Sequence, residues 1–429
     1  MTTGEPARER EYPRARFNPR VVRCESEADL RQAMSAVGAD PRGIDIMVPK
    51  GRFCLVRLEG LKFAAASILK QELLSKDGEV AISGEIYYGG EHTTDALLMA
   101  TERALHRVIN VLRIQPLPSL QELAGELEDA LSAVNTHTLP PLRIGSREFV
   151  WGARTYIMGI VNATPDSFSG DGLLATTSDW VERAVAQGLR FLEEGADILD
   201  VGGESTRPGA APVEAEAERA RVLPVIEALR HHTDAPISID TYKADVARAA
   251  LGAGADLIND VWAMQMDPAM PALAVASGAP VVLMHNHSKP RNAEQTERLG
   301  GRYVGVEYKD LLADVLRELR QLVDAACAAG VARERLIVDP GIGFGKTVEQ
   351  NLRLLNHLDE LRVLGLPILL GPSRKAFIGY TLDVPPDERA EGTAATVALG
   401  ITRGADIVRV HDVRAMARVA KMTDALLRA

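Results

Sequence analysis

The chain contains 429 residues, 46% of them hydrophobic and 25% charged, which is typical of globular proteins and favours two domains over one. Its formal net charge of −10 argues against a general nucleic-acid-binding protein. The sequence also lacks an apolar run approaching the ~20 residues that a membrane span requires. An anionic ligand would therefore have to be bound by a local cluster of basic side chains.

Residues 1–20 are rich in Arg, Glu and Pro and contain no apolar core of the kind found in secretory signals, so we predict a disordered tail. The three cysteines, Cys24, Cys54 and Cys327, are too far apart for a disulfide framework or a metal-ligand spacing. These two features predict a cytoplasmic protein.

Residues 21–135 are predicted to form a first α/β domain, to which the sequence assigns no role. Its clearest helix is expected at 94–113, where apolar residues form a broad stripe on one helical face. Other helices are expected to begin near Ser26, Leu61 and Ser119, and strands are expected at 44–48, 53–58 and 80–87. The charged residues here fit a solvated surface better than a functional site.

Residues 136–155 are predicted to be a linker followed by a hairpin. The linker ends in the adjacent prolines Pro140 and Pro141, and the hairpin has Gly145 and Ser146 at its turn. This segment separates the first domain from the part of the chain that carries recognisable chemistry.

A strand, a polar loop and a helix follow one another from Tyr156 onward. The strand is short, apolar and rich in β-branched residues, and it ends at Asn162. The loop contains Pro165 and two glycines, and a helical pattern of apolar residues begins at Asp179. This order is one unit of a parallel α/β fold.

Seven further strand-and-helix units are predicted. Their strands are expected at 197–202, 237–241, 257–260, 281–285, 336–339, 368–370 and 407–411. A glycine stands shortly before six of these strands, where helices commonly end in a left-handed residue. Eight units within residues 156–429 predict a (β/α)8 barrel, the TIM barrel.

The alternation of side chains along a strand predicts which of them face the barrel interior. In the last strand, Arg409 and His411 would point inward at the C-terminal mouth, where barrel enzymes have their active sites. Val408 and Val410 would then face the covering helices.

The third strand behaves in the same way, with Ser238 and Asp240 predicted to point inward and Ile237 and Ile239 outward. Several other strands also end in a polar residue: Asn162, Asp200, Asn259 and Asp339. Polar residues at most of the strand ends predict a functional site on one rim.

Eight short motifs occur in order along this region. They are NATPDSFS from Asn162, DVGGESTRPG from Asp200, SIDT from Ser238, IND from Ile258, LMH from Leu283, DPGIGFGKT from Asp339, GPSRK from Gly371 and RVHD from Arg409. Together they resemble the dihydropteroate synthases. The resemblance covers the chain from about Leu142 to its end and leaves the first domain outside.

The resemblance implies a reaction in which 6-hydroxymethyl-7,8-dihydropterin diphosphate and 4-aminobenzoate give 7,8-dihydropteroate and pyrophosphate. Arg409, His411 and Asn162 would bind the diphosphate, with Mg²⁺ held at Asn162, since a carboxamide oxygen suits this ion. Arg409, His411, Lys375 and Asp166 would be the catalytic residues. Taken alone, Asn162 would be interpreted as a turn residue, and Asp166 could be a carboxylate of the loop turn.

The same resemblance assigns two further sets of residues. The pterin would be bound by Asp240, Asn259, Asp339, Lys375, Met284 and Gly343. The 4-aminobenzoate would be bound by Thr206, Arg207, Pro208, Phe344 and Ser373. Asp240 could also cap the next helix, Met284 could be an ordinary core residue and Arg207 a surface charge.

Two other patterns are set aside. The run from Gly341 to Thr347 is similar to a phosphate-binding P-loop, but Pro340 stands where that motif requires its first glycine. His285 and His287 have the spacing of a metal-binding pair, but the sequence offers no convincing third ligand. His287 and Ser288 also depart from the family pattern after Met-His.

Two rival functions remain open at this level. A methyltransferase acting between methyl-tetrahydrofolate and a corrinoid would have no use for a diphosphate site, and a non-catalytic pterin-binding paralogue would not keep nearly every motif. The resemblance further implies small-molecule substrates, a homodimer and competition by sulfonamides.

Overall fold

The computed structural model describes residues 20–24, 26–84, 93–134, 139–163, 177–205 and 211–428. The predicted tail lies outside these ranges except for Arg20, as do four residues at the linker, 135–138. The chain divides into two compact units, Met1–Asp129 and Ala130–Ala429. Each unit is described by itself below.

The first unit combines helices with a three-stranded antiparallel sheet of order β1-β3-β2. Its elements are α1 (Glu27–Ala36), α2 (Pro41–Gly51), β1 (Phe53–Lys62), α3 (Phe63–Leu74), β2 (Glu79–Ile82), β3 (Thr93–Thr101), α4 (Glu102–Leu112) and α5 (Pro118–Val134), whose last turn belongs to the second unit. Buried leucine and isoleucine side chains of α3, β3 and α4 form its core.

Two predictions in this unit are wrong. The strand expected at 44–48 lies in α2, because Asp40 caps a helix there and Ile44 and Val48 are buried four residues apart on one helical face. The long helix expected at 94–113 begins only at Glu102. Its first residues form β3, whose side chains are buried alternately and which pairs with both β1 and β2.

The second unit contains eight parallel barrel strands in the order β13-β10-β9-β8-β7-β6-β15-β14. A bridge between Val338 and Ile368 joins the two ends of this order, which brings the sheet close to a closed barrel. The strands are β6 (Tyr156–Asn162), β7 (Ile198–Gly202), β8 (Ile237–Asp240), β9 (Leu257–Asp260), β10 (Val281–Met284), β13 (Leu336–Asp339), β14 (Leu369–Leu370) and β15 (Ile407–Val410). The predicted TIM barrel is confirmed.

Helices follow the barrel strands in the predicted manner. They are α6 (Thr177–Glu193), α7 (Ala215–His232), α8 (Ala244–Gly252), α9 (Met270–Ser277), α10 (Leu311–Ala328), α11 (Val348–Asn356), α12 (Ala376–Leu382), α13 (Ala390–Thr402) and α14 (Val413–Leu427). An additional antiparallel pair, β11 (Ala293–Thr296) and β12 (Gly300–Tyr303), precedes α10. None of the described helices is long and apolar enough to cross a membrane.

Alternating side chains of the barrel strands belong to two different apolar clusters. Val408 and Val410 pack in the cluster shared with the surrounding helices, whereas Ile407 belongs to a smaller cluster inside the barrel. The hairpin β4 (Leu142–Ile144) and β5 (Arg147–Phe149) adds its apolar residues to that inner cluster. The inner face is therefore apolar near the hairpin and becomes polar toward the C-terminal strand ends.

Candidate active site

Arg409 lies between two carboxylates at the C-terminal mouth of the barrel. Its Nε donates to Asp200 Oδ2 at 2.6 Å, and its Nη2 donates to Asp240 Oδ2 at 2.6 Å. Three strands, β15, β7 and β8, thereby bring their inward residues together. Arginine has five N–H donors, so three remain for a ligand.

Asp200 is the most deeply buried member of this group, with 0% of its side chain exposed. Its Oδ2 also accepts a hydrogen bond of 3.1 Å from Asn259 Nδ2, but its Oδ1 has no partner among the described residues. The hydroxyl of Ser238, on the neighbouring strand, is likewise buried without a partner there. Buried polar atoms normally have a hydrogen-bond partner, so these two can bind a ligand or a water molecule.

Burial raises the pKa of Asp240 to about 7, because desolvation of the carboxylate outweighs the opposing charge of Arg409. Neighbouring Asp200 raises it further. Asp200 and Asp240 thus share the single positive charge of Arg409.

Asp339 and Lys375 occupy the adjacent part of the mouth. Asp339 Oδ1 accepts a hydrogen bond from Gly341 N at 2.7 Å, and burial raises the pKa of this carboxyl. Lys375 Nζ donates to the carbonyl of Ile342 and lies 4.4 Å above the ring of Phe344. Burial lowers the pKa of Lys375 to about 8, despite the nearby charge of Asp339.

Gly343 leaves room for the Lys375 side chain. Its φ of +82° belongs to the left-handed region, and a Cβ at this position would lie only 2.8 Å from Lys375 Cδ. A larger residue would therefore displace the lysine from the mouth.

His411 and Ser373 form a pair at the end of β15. The Ser373 hydroxyl lies 2.9 Å from His411 Nδ1 and accepts a hydrogen bond from His411 N at 3.1 Å. Arg374 follows Ser373 and Asp412 follows His411, and these two residues form a second pair in which Arg374 Nε donates to Asp412 Oδ2 at 2.8 Å. These contacts fix the loops after β14 and β15 to each other.

The loop after β7 is held by an ion-pair cluster that the sequence analysis missed. Lys243 Nζ donates to Glu204 Oε2 at 2.5 Å and also to the buried Glu218, and Tyr242 donates to Glu204 Oε1 at 3.0 Å. Only the position of Glu204 within its motif could have indicated this role.

The remaining predicted residues fall into two groups. Asn162 and Met284 are the last residues of β6 and β10, and both occupy inward-facing positions of the barrel at its C-terminal mouth. Asp166, Thr206, Arg207 and Pro208 lie outside the described residues. Asp240 does not cap α8, since Asp267 Oδ2 accepts from Ala244 N at 2.8 Å and Thr241 Oγ1 from Lys243 N at 3.3 Å.

A second buried network lies behind the loop after β13. Lys346, which is 1% exposed, places Nζ 2.9 Å from His285 Nδ1 and donates to the carbonyls of Gly341 and Phe344 at 3.0 and 3.2 Å. Burial lowers the pKa of Lys346 to about 7 and that of His285 to about 4. Sequence reasoning included Lys346 in a family motif and in a rejected P-loop pattern but gave it no role, because nothing local reveals its burial.

The fold and the mouth define a pterin-binding barrel enzyme, because a family model described as "Pterin binding enzyme" matches residues 158–411. The dihydropteroate synthase of Clostridium beijerinckii is 48% identical over 288 residues, which are 67% of this chain and 100% of that protein. The chain accordingly belongs to the dihydropteroate synthases and is a transferase.

A solved structure agrees with this assignment. The dihydropteroate synthase of Xanthomonas albilineans with 4-aminobenzoic acid is 44% identical and matches with a TM-score of 0.61, covering 68% of this chain and 100% of that chain. Such coverage corresponds in length to the barrel unit.

Another relative extends the similarity toward the N-terminus. A probable bifunctional folylpolyglutamate synthase/dihydropteroate synthase of Halobacterium salinarum is 41% identical over 402 residues, covering 92% of this chain and 46% of that protein. Since less than a tenth of the chain lies outside this alignment, it includes most of the first unit. The first unit therefore has a counterpart that the motif comparison did not reveal.

Proposed function

We propose that the mouth of the barrel condenses 6-hydroxymethyl-7,8-dihydropterin diphosphate with 4-aminobenzoate to give 7,8-dihydropteroate and pyrophosphate. The observation that carries this proposal is the convergence of Asp200, Asp240, Asp339, Lys375 and Arg409 at one mouth. Acceptors for a pterin and cations for a diphosphate lie side by side in this cluster.

The pterin is bound by hydrogen-bond acceptors on Asp240, Asp339 and Asn259, and contacts within the protein fix the positions of these three side chains. The ring presents an amidine-like array of N–H donors. Asp240 and Asp339 each use one carboxylate oxygen within the protein, Asp240 for Arg409 and Asp339 for Gly341, so the other oxygen can accept from the ring. Asn259 donates its amide to Asp200 and can accept through Oδ1.

Lys375 and two smaller contributions complete the pterin site. Lys375 offers its ammonium group to the ring carbonyl, and Gly343 gives that side chain its space. Met284 supplies an apolar wall. These roles follow from position in the mouth and from the resemblance in sequence.

The diphosphate is bound by Arg409 and His411, with Mg²⁺ at Asn162. Three N–H groups of Arg409 remain for phosphate oxygens, and His411 lies at the end of the same strand. Asn162 is half-buried at the end of β6, and its carboxamide oxygen suits an ion that is otherwise bound by phosphates and water. When bound, Mg²⁺ would neutralise charge on the leaving diphosphate.

The 4-aminobenzoate lies toward the loops after β7, β13 and β14. Phe344 provides an apolar wall, and Ser373 provides a polar group beside His411. The proposal also assigns Thr206, Arg207 and Pro208 to this substrate. The Xanthomonas albilineans dihydropteroate synthase was solved with 4-aminobenzoic acid, which supports a benzoate site in this family.

The reaction breaks the bond between the pterin's exocyclic carbon and the diphosphate oxygen and forms a bond from that carbon to the aryl amine. Arg409 stabilises the growing negative charge on the leaving oxygen. The electron-rich ring shares the positive charge left on the carbon, so the protein needs no nucleophile. The amine loses a proton after attack, and Asp166 is assigned to assist the amine or Mg²⁺.

Purified protein supplied with the pterin diphosphate, Mg²⁺ and 4-aminobenzoate should yield dihydropteroate, which mass spectrometry detects, and a sulfonamide should compete with the benzoate.

Arg409→Ala should lower kcat/KM by about 10²–10³-fold, because it removes donors to the leaving group. Arg418→Ala, at an exposed position of α14, should leave kcat/KM unchanged.

Turnover of Arg409→Ala near the level of Arg418→Ala would contradict the diphosphate role. Binding of the pterin diphosphate without release of pyrophosphate would instead favour a non-catalytic paralogue, and methyl transfer to cobalamin would favour the methyltransferase. Circular dichroism of Arg409→Ala is needed alongside, because the substitution leaves Asp200 and Asp240 without their shared cation.

Assembly and location are part of the same proposal. We expect a homodimer formed through barrel helices, as the resemblance implies, and a cytoplasmic location. All three cysteines are free thiols, which supports a reducing environment.

A further inference from the structure

Two histidines and one glutamate converge outside the mouth. His285 and His287 follow β10, and Glu318 lies on α10. Glu318 Oε2 is 2.9 Å from His285 Nε2 and 2.5 Å from His287 Nε2. Within the described ranges, these residues are the one group of three His, Cys, Asp or Glu side chains whose ligand atoms all lie within 4.8 Å of one another.

We propose that His285, His287 and Glu318 bind a divalent transition-metal ion, with Zn²⁺ as the best match. Two imidazole nitrogens and one carboxylate oxygen form a donor set typical of zinc. Zinc lies ~2.0–2.1 Å from such ligands, which sets about 3.3 Å between ligand atoms in a tetrahedron. Glu318 Oε2 lies 2.9 Å from His285 Nε2 and 2.5 Å from His287 Nε2, so each of these two distances would have to increase by less than an ångström.

Neighbouring groups hold the side chains of His285 and His287 in place. His285 is 1% exposed, and its other ring nitrogen contacts Lys346 Nζ at 2.9 Å. His287 stacks on Tyr308 with ring centroids 5.3 Å apart, and the Tyr308 hydroxyl donates to Gly345 O at 3.2 Å. Binding would therefore need little ordering of side chains.

The site is separate from the mouth. Alternation along β10 turns Val282 and Met284 into the barrel, and His285, like Leu283, lies on the helix-facing side. A cavity of about 560 Å³ adjoins the three ligands and is also lined by residues of α10 and of the loop after β9, by Pro271 of α9 and by Asn286. It leaves space for a fourth ligand such as water.

A bound ion would tie the loop after β10 to α10. That loop contacts the loop after β13 so closely that a Cβ at Gly341 would lie 1.8 Å from His285 O. Because the loop after β13 also carries Phe344 and the carbonyl that accepts from Lys375, the ion would stabilise one wall of the mouth without contacting substrate.

The test uses the full chain after removal of metal with a chelator. Titration calorimetry with Zn²⁺ should show one tight site per chain, and Co²⁺ should give visible absorption bands. Zn²⁺ should also raise Tm, because it binds the folded state. His287→Ala and Glu318→Gln should each weaken Zn²⁺ binding by more than the ~10–100-fold that loss of an outer partner of a metal ligand costs.

His357→Ala is the matched control. His357 Nδ1 also lies near a carboxylate, 3.2 Å from Glu360 Oε1, but this pair is not part of the three-residue group. This variant should bind Zn²⁺ like the wild-type chain. Glu318→Gln preserves the shape of the side chain, so its Zn²⁺ affinity still tests the proposal if His287→Ala fails to fold.

Equal Zn²⁺ affinity in the wild-type chain and in Glu318→Gln would overturn the proposal, as would a wild-type chain that binds no Zn²⁺. A site that persists unchanged in both ligand variants would place the ion elsewhere and also overturn it. No substrate enters these measurements, so their result is independent of synthase activity.

Discussion

Arg409 is the residue on which the charge balance of the mouth depends. It is 21% exposed and faces Asp200 and Asp240, which are 0% and 10% exposed. Removal of one partner from such a cluster leaves a buried charge uncompensated, which costs more than the ion pair itself contributes. The cluster thus positions Arg409 for a ligand and makes the same residue important for folding.

We expect Lys375 to make the activity depend on pH. Burial lowers the pKa of its ammonium group to about 8, and a lysine is cationic only below its pKa. We therefore expect kcat/KM to fall as the pH rises through about 8. Lys375→Arg keeps its charge at these pH values and should lack this fall, whatever its absolute rate.

The measurement is a kcat/KM profile between pH 6 and pH 10. Lys421→Arg, an exchange at an exposed position of α14, should keep the wild-type profile and controls for general effects of the substitution. The same alkaline fall in Lys375→Arg as in the wild-type chain would show that another group is responsible.

The hairpin of β4 and β5 is the element that closes the barrel on the side opposite the mouth. Phe149 packs against Trp151 and Tyr156, with ring centroids 6.0 and 4.6 Å away. The Tyr156 hydroxyl also accepts a hydrogen bond of 2.8 Å from Val150 N. This aromatic group joins the apolar residues at the base of the barrel strands.

Phe149→Ala should therefore reduce the free energy of unfolding by about 3–5 kcal/mol, because it removes a large side chain that is 1% exposed. Denaturant titration measures the change. Val150→Ala, at the neighbouring position that is 47% exposed, should change it by about 0.5 kcal/mol or less. Comparable losses in the two variants would refute the structural role of the hairpin.

At the scale of the whole molecule, we expect synthase chemistry to belong to the barrel unit. The Clostridium beijerinckii relative matches over 100% of its length while covering 67% of this chain. A chain of barrel length is thus sufficient for that protein. The first unit has its own sheet and core, and the predicted residues of the mouth all lie in the second unit.

A chain beginning at Pro140 should accordingly keep kcat/KM within about threefold of the full chain, and analytical ultracentrifugation should find both as dimers. Dissociation of the shorter chain into monomers would show instead that the first unit mediates assembly. Loss of activity in a shorter chain that still folds by circular dichroism would assign the first unit a catalytic role.

Prediction from sequence succeeded where the signal is local and repeated. Strand ends such as Asn162, Asp240 and Asp339 follow from apolar runs that stop at a polar residue, and the inward direction of Arg409 follows from alternation. It failed at β3, because an apolar pattern that also fits a helix forms a strand once β1 and β2 pair with it.

By itself, the sequence determined the order of the barrel strands, the face on which each polar residue lies and the family to which the motifs belong. These properties depend on neighbours within a few residues. Only the tertiary structure decided that Arg409 pairs with Asp200 and Asp240, which lie 209 and 169 positions earlier in the chain. The same holds for the contacts of Glu318 with His285 and His287. Such pairings depend on how the barrel closes, and the spacing of residues along a chain does not specify them.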